Sequence, residues 1–328
     1  MSDSLAFLAL HGKPQVARRA TGRLIVALLV AFVFGGCSAG AQAGPSQGAT
    51  PSVTASSAVT LSPVDTSSPA ATPTPSATAT AAPTSTPGPA GFTAAGSMAV
   101  ARAYHTATAL ADGRVLIAGG RNDSARLASA ELYDPATGKF TRTGSMAVAR
   151  GNHTATLLRD GRVLIAGGED FSFLAAAELY DPATGKFSRT GSLAHARGDH
   201  TATLLSDGRV LIAGGWAGSR ALIASAELYD PSTGKFSAAG PMAHARYSHE
   251  AILLADGRVL IAGGVGPSAQ SLATAEVYDL AGGTFSPAGS MAIGRSAHTA
   301  TVLSDGSVLI AGGVNDSGVF ASAELWRP

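Results

Sequence analysis

Five histidines, His105, His153, His200, His249 and His298, each follow an arginine by three positions: Arg102, Arg150, Arg197, Arg246 and Arg295. A glutamate recurs with each set: Glu131, Glu178, Glu227, Glu276 and Glu324. Imidazole is a common ligand for zinc, copper and nickel, so a ring of five suggests a metal centre. Geometry argues against it. Neighbouring equivalent atoms in a five-membered ring lie slightly more than one ring radius apart. With zinc–nitrogen bonds of about 2 Å, only side chains reaching almost to the axis could share one ion. No metal site is expected, and each histidine should hydrogen-bond to adjacent backbone. The repeated Arg and Glu read as a buried or half-buried ion pair, one that could join neighbouring repeats, because an active site needs one constellation rather than five copies.

Departures from the pattern are better candidates for chemistry. His195 and His244 stand where other copies have Val100, Val148 and Ile293. Glu250 stands where the others have Thr106, Thr154, Thr201 and Thr299. The two imidazoles could form part of a metal or acid–base site, and the lone carboxylate, near the channel, could meet a ligand. The residues just before each recurrent histidine also differ and include Tyr104, Asn152, Asp199 and Tyr247. Other irregular stretches supply Arg121, Asn122, Asp123, Glu169, Asp170, Phe171, Trp216, Arg220, Asn315 and Asp316. Aromatic and arginine side chains beside Asn and Asp suit stacking on a sugar or anchoring a peptide. These residues form no complete catalytic constellation.

The elements that must position these residues repeat as well. Gly-Gly occurs at Gly119, Gly167, Gly214, Gly263 and Gly312, with spacings of 48, 47, 49 and 49 residues. Self-similarity at this period marks stacked supersecondary units, and about 50 residues suits a four-stranded propeller blade. Each copy reads as strand a (HTATLL), an Asp-Gly hairpin turn, strand b (RVLIA), strand c (AELYD), a Pro-x-Thr-Gly turn and strand d opened by Phe. Both residues of the Asp-Gly turn are expected at positive φ.

Gly-Gly closing strand b, Tyr-Asp-Pro closing strand c and an aromatic opening strand d together resemble the kelch repeat, from Phe92 to Pro328. Phe replaces that family's usual Trp in strand d, Leu280 replaces Pro in the fourth copy, and Trp326 replaces Tyr in the last. The resemblance implies an all-β, five-bladed kelch-type β-propeller. Phe92 opens a strand d before the first a-b-c set, and the set ending at Trp326 is followed by none. The N-terminal strand, Phe92–Ala95, is therefore expected to pair with the C-terminal blade and close the ring, which removes exposed sheet edges; the alternative is an open or domain-swapped array.

From the strand d Phe to the second glycine of Gly-Gly is 28 residues in all five copies. From the strand c Tyr to the next Phe is 7 in all four measurable cases. All length variation thus lies between strands b and c. Alternating strands bring the b–c and d–a connections to one face and the tight turns to the other. Variable loops on a rigid scaffold are where binding residues concentrate. The b–c/d–a face is the expected site for a protein or glycan ligand.

Within 328 residues the organisation reads as 1–37 signal peptide, 38–91 linker and 92–328 propeller. Arg18, Arg19 and Arg23 precede Leu24–Phe34, an apolar run too short to span a membrane. Gly35-Gly36-Cys37 follows and resembles a bacterial lipoprotein signal, which implies lipidation of Cys37. The expected location is extracytoplasmic, tethered to the cell membrane by that lipid alone, or else secreted. Residues 38–91 are mostly Ala, Ser, Thr, Pro and Gly, a disordered spacer in composition. A net charge of +1 gives no footprint for nucleic acid.

Three functions stay open: a binding module, a sugar-modifying enzyme of epimerase type, and a structural part of envelope assembly. Galactose oxidase is similar in having a kelch-type propeller. Its copper chemistry needs a Tyr cross-linked to Cys, and residues 92–328 contain no Cys. No cofactor is expected.

Overall fold

The computed structural model describes residues 91–92, 94–217 and 221–328. The signal segment, Cys37, nearly all of the linker and Arg220 lie outside the described residues.

In each blade the Asp-Gly turn joins strand a to strand b. Gly113 takes φ 86° while Asp112 stays out of the left-handed region. Gly113 N–H bonds Leu110 O at 3.1 Å, and Leu110 N–H bonds Arg114 O at 2.8 Å. This is a type I turn followed by a left-handed glycine, rather than the two-residue turn expected with both residues at positive φ. Strand a of blade 1 (Thr106–Ala109) pairs antiparallel with strand b (Val115–Ala118), then with strand c (Ala130–Asp134) and strand d (Lys139–Arg142) in order. Blades 2, 3 and 4 repeat that four-stranded order, from Thr154 to Ser192, Thr201 to Ala239 and Glu250 to Ser290. Blade 5 has three strands, Thr299–Val302, Val308–Ala311 and Ala323–Trp326. The described residues form an all-β, five-bladed propeller arrangement with no helix.

Strand b explains the packing. Val-Leu-Ile-Ala lacks polar alternation because both faces of a blade are covered. In blade 2, Val163 and Ile165 point into the core shared with blade 1, and Leu164 and Ala166 into the core shared with blade 3. Tyr180, Tyr229 and Tyr278 are fully buried in successive inter-blade cores. Two of the hydroxyls reach the end of the preceding strand d, where Thr143 Oγ1 lies 2.9 Å from Tyr180 Oη and Thr190 Oγ1 2.9 Å from Tyr229 Oη, whereas Tyr278 Oη, facing Ala239 at the equivalent position, has no partner.

The arginines lock each blade internally. Arg150 Nη2 bonds Glu178 Oε1 at 2.8 Å, and its Nη1 donates to Gly167 O and Ala176 O at 2.7 Å each. The other Glu178 oxygen accepts from Ala147 N–H at 2.7 Å, which fixes the d–a connection. All five Arg–Glu pairs form, each inside one blade rather than between blades.

Junctions between blades use different bonds. Gly120 N–H donates to Arg150 O at 2.8 Å, and Gly168, Gly215 and Gly264 do the same to Arg197, Arg246 and Arg295. His153, His200 and His249 bond through Nε2 to Thr106, Thr154 and Thr201 of the preceding blade at 2.9–3.0 Å. These partners are hydroxyls across a junction, not the adjacent backbone anticipated from the sequence. Burial holds His153 and His249 down to about 3, with the neighbouring arginine charge adding to it, so both rings are neutral.

The fifth junction does not form. A Cβ on Gly119, Gly167, Gly214 or Gly263 would meet the next blade's arginine carbonyl at 2.5–2.6 Å, whereas at Gly312 the nearest atom is Phe320 O at 3.7 Å. Among the described residues Gly313 has no bond to Arg102. Among the described residues there are four inter-blade cores, and none joins blade 5 to blade 1. The expected closure through the N-terminal strand is therefore corrected. Gly96 N–H binds Gly138 O at 2.9 Å, the outer link that Gly144 makes to Gly185, so this segment leans on blade 1. Phe92, at its start, is fully exposed at 110%. Four like junctions do not bring blade 5 back against blade 1, and the strand cannot reach both.

Candidate functional site

The b–c and d–a connections share one face, as their pairing shows. The residue after Gly-Gly bridges the residue two before the recurrent histidine of its own blade: Arg121 with Ala103, Glu169 with Gly151, Trp216 with Gly198, Val265 with Tyr247, and Val314 with Ser296. This clamp turns the next residue inward in a left-handed conformation. Tyr104, Asn152, Asp199, Ser248 and Ala297 take φ of 50–55°. Non-glycine residues there cost roughly 1–2 kcal/mol each, and such strain clusters at functional sites. Their backbones form a ladder: Asn152 N–H to Tyr104 O, and Asp199 N–H to Asn152 O, both at 3.2 Å.

Around that ladder the side chains converge. Arg121 lies over the Tyr104 ring, 4.7 Å from its centroid. Glu169 pairs with Arg126 and accepts from Asn152 Nδ2 at 3.3 Å. Asp199 is pushed up to about 7, chiefly by burial and further by the Glu169 charge. Burial, then the charge of Asp199, raises the Tyr247 phenol. Trp216 packs against Tyr247 with ring centroids 4.8 Å apart. A cationic–acidic end (Arg121, Arg126, Glu169) thus grades through Asn152 and Asp199 into an aromatic end (Tyr247, Trp216). Such a surface offers stacking beside hydrogen-bond donors and acceptors.

Other predicted residues fall elsewhere. His195 and His244 each lie by their own blade's glutamate, Nδ1 to Oε1 3.8 Å from Glu227 and 3.5 Å from Glu276, and both are half exposed. The equivalent Val148 lines a groove with Arg189, Thr190 and Ser192 of strand d, on the flank of the blade. The two histidines therefore do not meet in one acid–base site. Asn122 caps its own loop through Ser124 and Ala125 N–H, both at 2.9 Å. Asn315 holds Gly294 O at 3.0 Å and Ser317 N–H at 2.7 Å. Asp123, Asp170, Phe171 and Asp316 occupy loop tips; Phe171 is wholly exposed.

Glu250 is part-buried on strand a of blade 4 and pushed up to about 7 by burial alone. Arg126 was missed by the sequence reading, as was Phe173, whose ring lies 3.1 Å from where a Gly198 Cβ would be. Both sit at a b–c position that changes identity in every blade, the signal by which the other candidates were found. Among the described residues no group of three His, Cys, Asp or Glu side chains could hold one metal ion.

The comparisons agree with this architecture. The Kelch motif matches residues 101–147, 198–243 and 251–292, which lie in blades 1, 3 and 4. No curated protein sequence matches the chain. Among similar solved structures is that of YjhT, 15% identical, with a TM-score of 0.57, covering 68% of this chain and 81% of that one. At that identity the likeness speaks for the fold alone. Kelch motifs in three repeats and the five-bladed sheet arrangement together make this chain a kelch-type β-propeller.

Proposed function

We propose that the propeller is a binding module that takes a protein or glycan ligand at the b–c/d–a face. The contact residues are Tyr104, Arg121, Asn152, Glu169, Asp199, Trp216 and Tyr247. The observation that carries this reading is the meeting of Trp216, Tyr247 and Asp199: a tilted aromatic pair beside a half-buried carboxyl on strained backbone. An acid–base role for His195 and His244 together has no geometric support, which favours binding over sugar turnover. Screening the full chain against glycan and peptide arrays tests the proposal. Wild type should retain a defined ligand class, and Trp216→Ala should weaken it at least tenfold with unchanged thermal stability. Equal retention by Trp216→Ala and Asp199→Asn would remove the proposal.

The basic flank, apolar run and Gly-Gly-Cys support export and lipid attachment at Cys37, with residues 38–91 as the tether. Radiolabelled fatty acid should enter wild type in cells and not Cys37→Ser; equal labelling of both would exclude this anchor.

A further inference from the structure

Every inter-blade core has the same two halves. Blade 1 gives Leu110, Leu116, Ala118, Ala130 and Leu132, and blade 2 answers with Ala155, Val163, Ile165 and Tyr180. At the open seam both halves exist without each other. Blade 5 presents Leu303, Leu309, Ala311, Ala323 and Leu325, of which Leu325 is 44% exposed while its counterpart Leu132 is 6% exposed. Blade 1 presents Ala107, Val115, Ile117 and Tyr133; Ala107 is exposed and Tyr133 half-buried, whereas Ala155 and Tyr180 are buried.

The sheet edge shows the same mismatch. Strand c of blades 1 to 4 is covered by strand d, but among the described residues Ala323–Trp326 is an uncovered edge. Trp326 lacks the strand d aromatic that stacks 4.8–4.9 Å from each strand c tyrosine. Phe92 is such an aromatic, 110% exposed, on a segment that follows the strand d pattern and has no strand c beside it among the described residues. An uncovered edge next to exposed apolar side chains is a template for another chain.

We propose that the seam is an association surface for a second copy of this chain. The free face of blade 5 in one copy packs on the free face of blade 1 in another, and the second copy's Phe92–Gly96 adds the fourth strand. The occupant follows from complementarity, because the blade 1 half is the surface to which this half is matched four times within the molecule, while the two ends of one molecule do not meet. Register follows from blade 3, where Ala226 pairs with Ala239 and Tyr229 with Phe236. Ala323 would pair with Ala95 and Trp326 with Phe92. The contact is head-to-tail, so two copies either close on each other or grow into longer chains.

Full-length Ala95→Cys and Ala323→Cys variants, both at exposed positions, test this directly. Paired Cβ atoms about 4.5–5.5 Å apart lie near disulfide reach. Mixing the two variants under mild oxidation should give a covalent dimer well above the background of wild type, whose only thiol is Cys37. Light scattering on full-length wild type should show concentration-dependent association, weakened at least tenfold by Leu325→Glu. A cross-link confined within single chains of the double variant would mean self-closure and overturn the proposal. So would the absence of any cross-link, or association that Leu325→Glu leaves unchanged.

Discussion

Glu250 occupies the strand a position from which Thr106, Thr154 and Thr201 each bond the next blade's histidine, and the next histidine, His298, has neither ring nitrogen bonded. The histidine ladder is broken at the one junction where its hydroxyl is replaced. Glu250→Thr should restore the bond and raise stability at pH 8 by about 1 kcal/mol in urea denaturation. No gain would show that His298 tolerates its isolation without cost.

The two groups pull stability in opposite directions with pH. Burial lowers His298 to about 4 and His153 and His249 to about 3, from an ordinary 6.5. The folded state therefore binds fewer protons, and stability falls as pH drops below about 6.5. Glu250, raised from 4.5 to about 7, acts the other way: its favourable contribution is complete below about 4.5 and is lost as pH rises through 7. Thermal melts of wild type and Glu250→Gln should diverge between about pH 4.5 and 7, with wild type the less stable on the alkaline side. Parallel curves would contradict this assignment.

Arg150 and Glu178 are both nearly inaccessible, and the pair also ties Gly167, Ala176 and Ala147 together. Removing one partner leaves the other charge buried. Arg150→Ala should cost roughly 3–5 kcal/mol, while Arg114→Ala, whose pair with Asp112 is solvent-exposed, should cost less than about 1. Chemical denaturation of the two variants side by side checks the ratio.

Much of the fold was legible because the chain prints the same blade five times. Val-Leu-Ile-Ala and Asp-Gly in all five copies, and Tyr in four, had to be scaffold, and each took the same place in its own blade. The seam was not legible. Closure depends on the accumulated rotation of four junctions, and no local pattern near Phe92 or Trp326 reports that sum. In the candidate site, Tyr104, Asn152, Asp199, Trp216 and Tyr247 were visible as irregularities beside a fixed histidine. That His195 and His244 each lie beside their own blade's glutamate was not legible, because spacing alone does not reveal where the d–a connection points that position.

Gly214 carries the junction between blades 3 and 4 at φ 65°, and an added Cβ would lie 2.6 Å from Arg246 O and 2.9 Å from His249 Cε1. Gly214→Ala should destabilise by several kcal/mol through strain and clash together. Gly113→Ala has open space around its Cβ and should suffer the backbone strain alone, about 1–2 kcal/mol. Equal losses in the two melting curves would remove the junction as the cause.

Asp199 titrates near neutrality because it is half-buried beside Glu169. Ligand affinity at this face should change across pH 6–8 in wild type and stay flat in Asp199→Asn. Isothermal titration at three pH values with an array-selected ligand reads this out, and a slope retained in Asp199→Asn would shift the titrating group elsewhere.

The claim beneath all of this is that repeated residues build the body and irregular ones the working face. Hydrogen exchange on the full chain, with and without an array-selected ligand, tests it most directly. Protection should gather at 103–104, 151–152, 198–199, 216–217 and 247–248. Protection centred instead on the Asp-Gly and Pro-x-Thr-Gly turns of the opposite face would contradict the account.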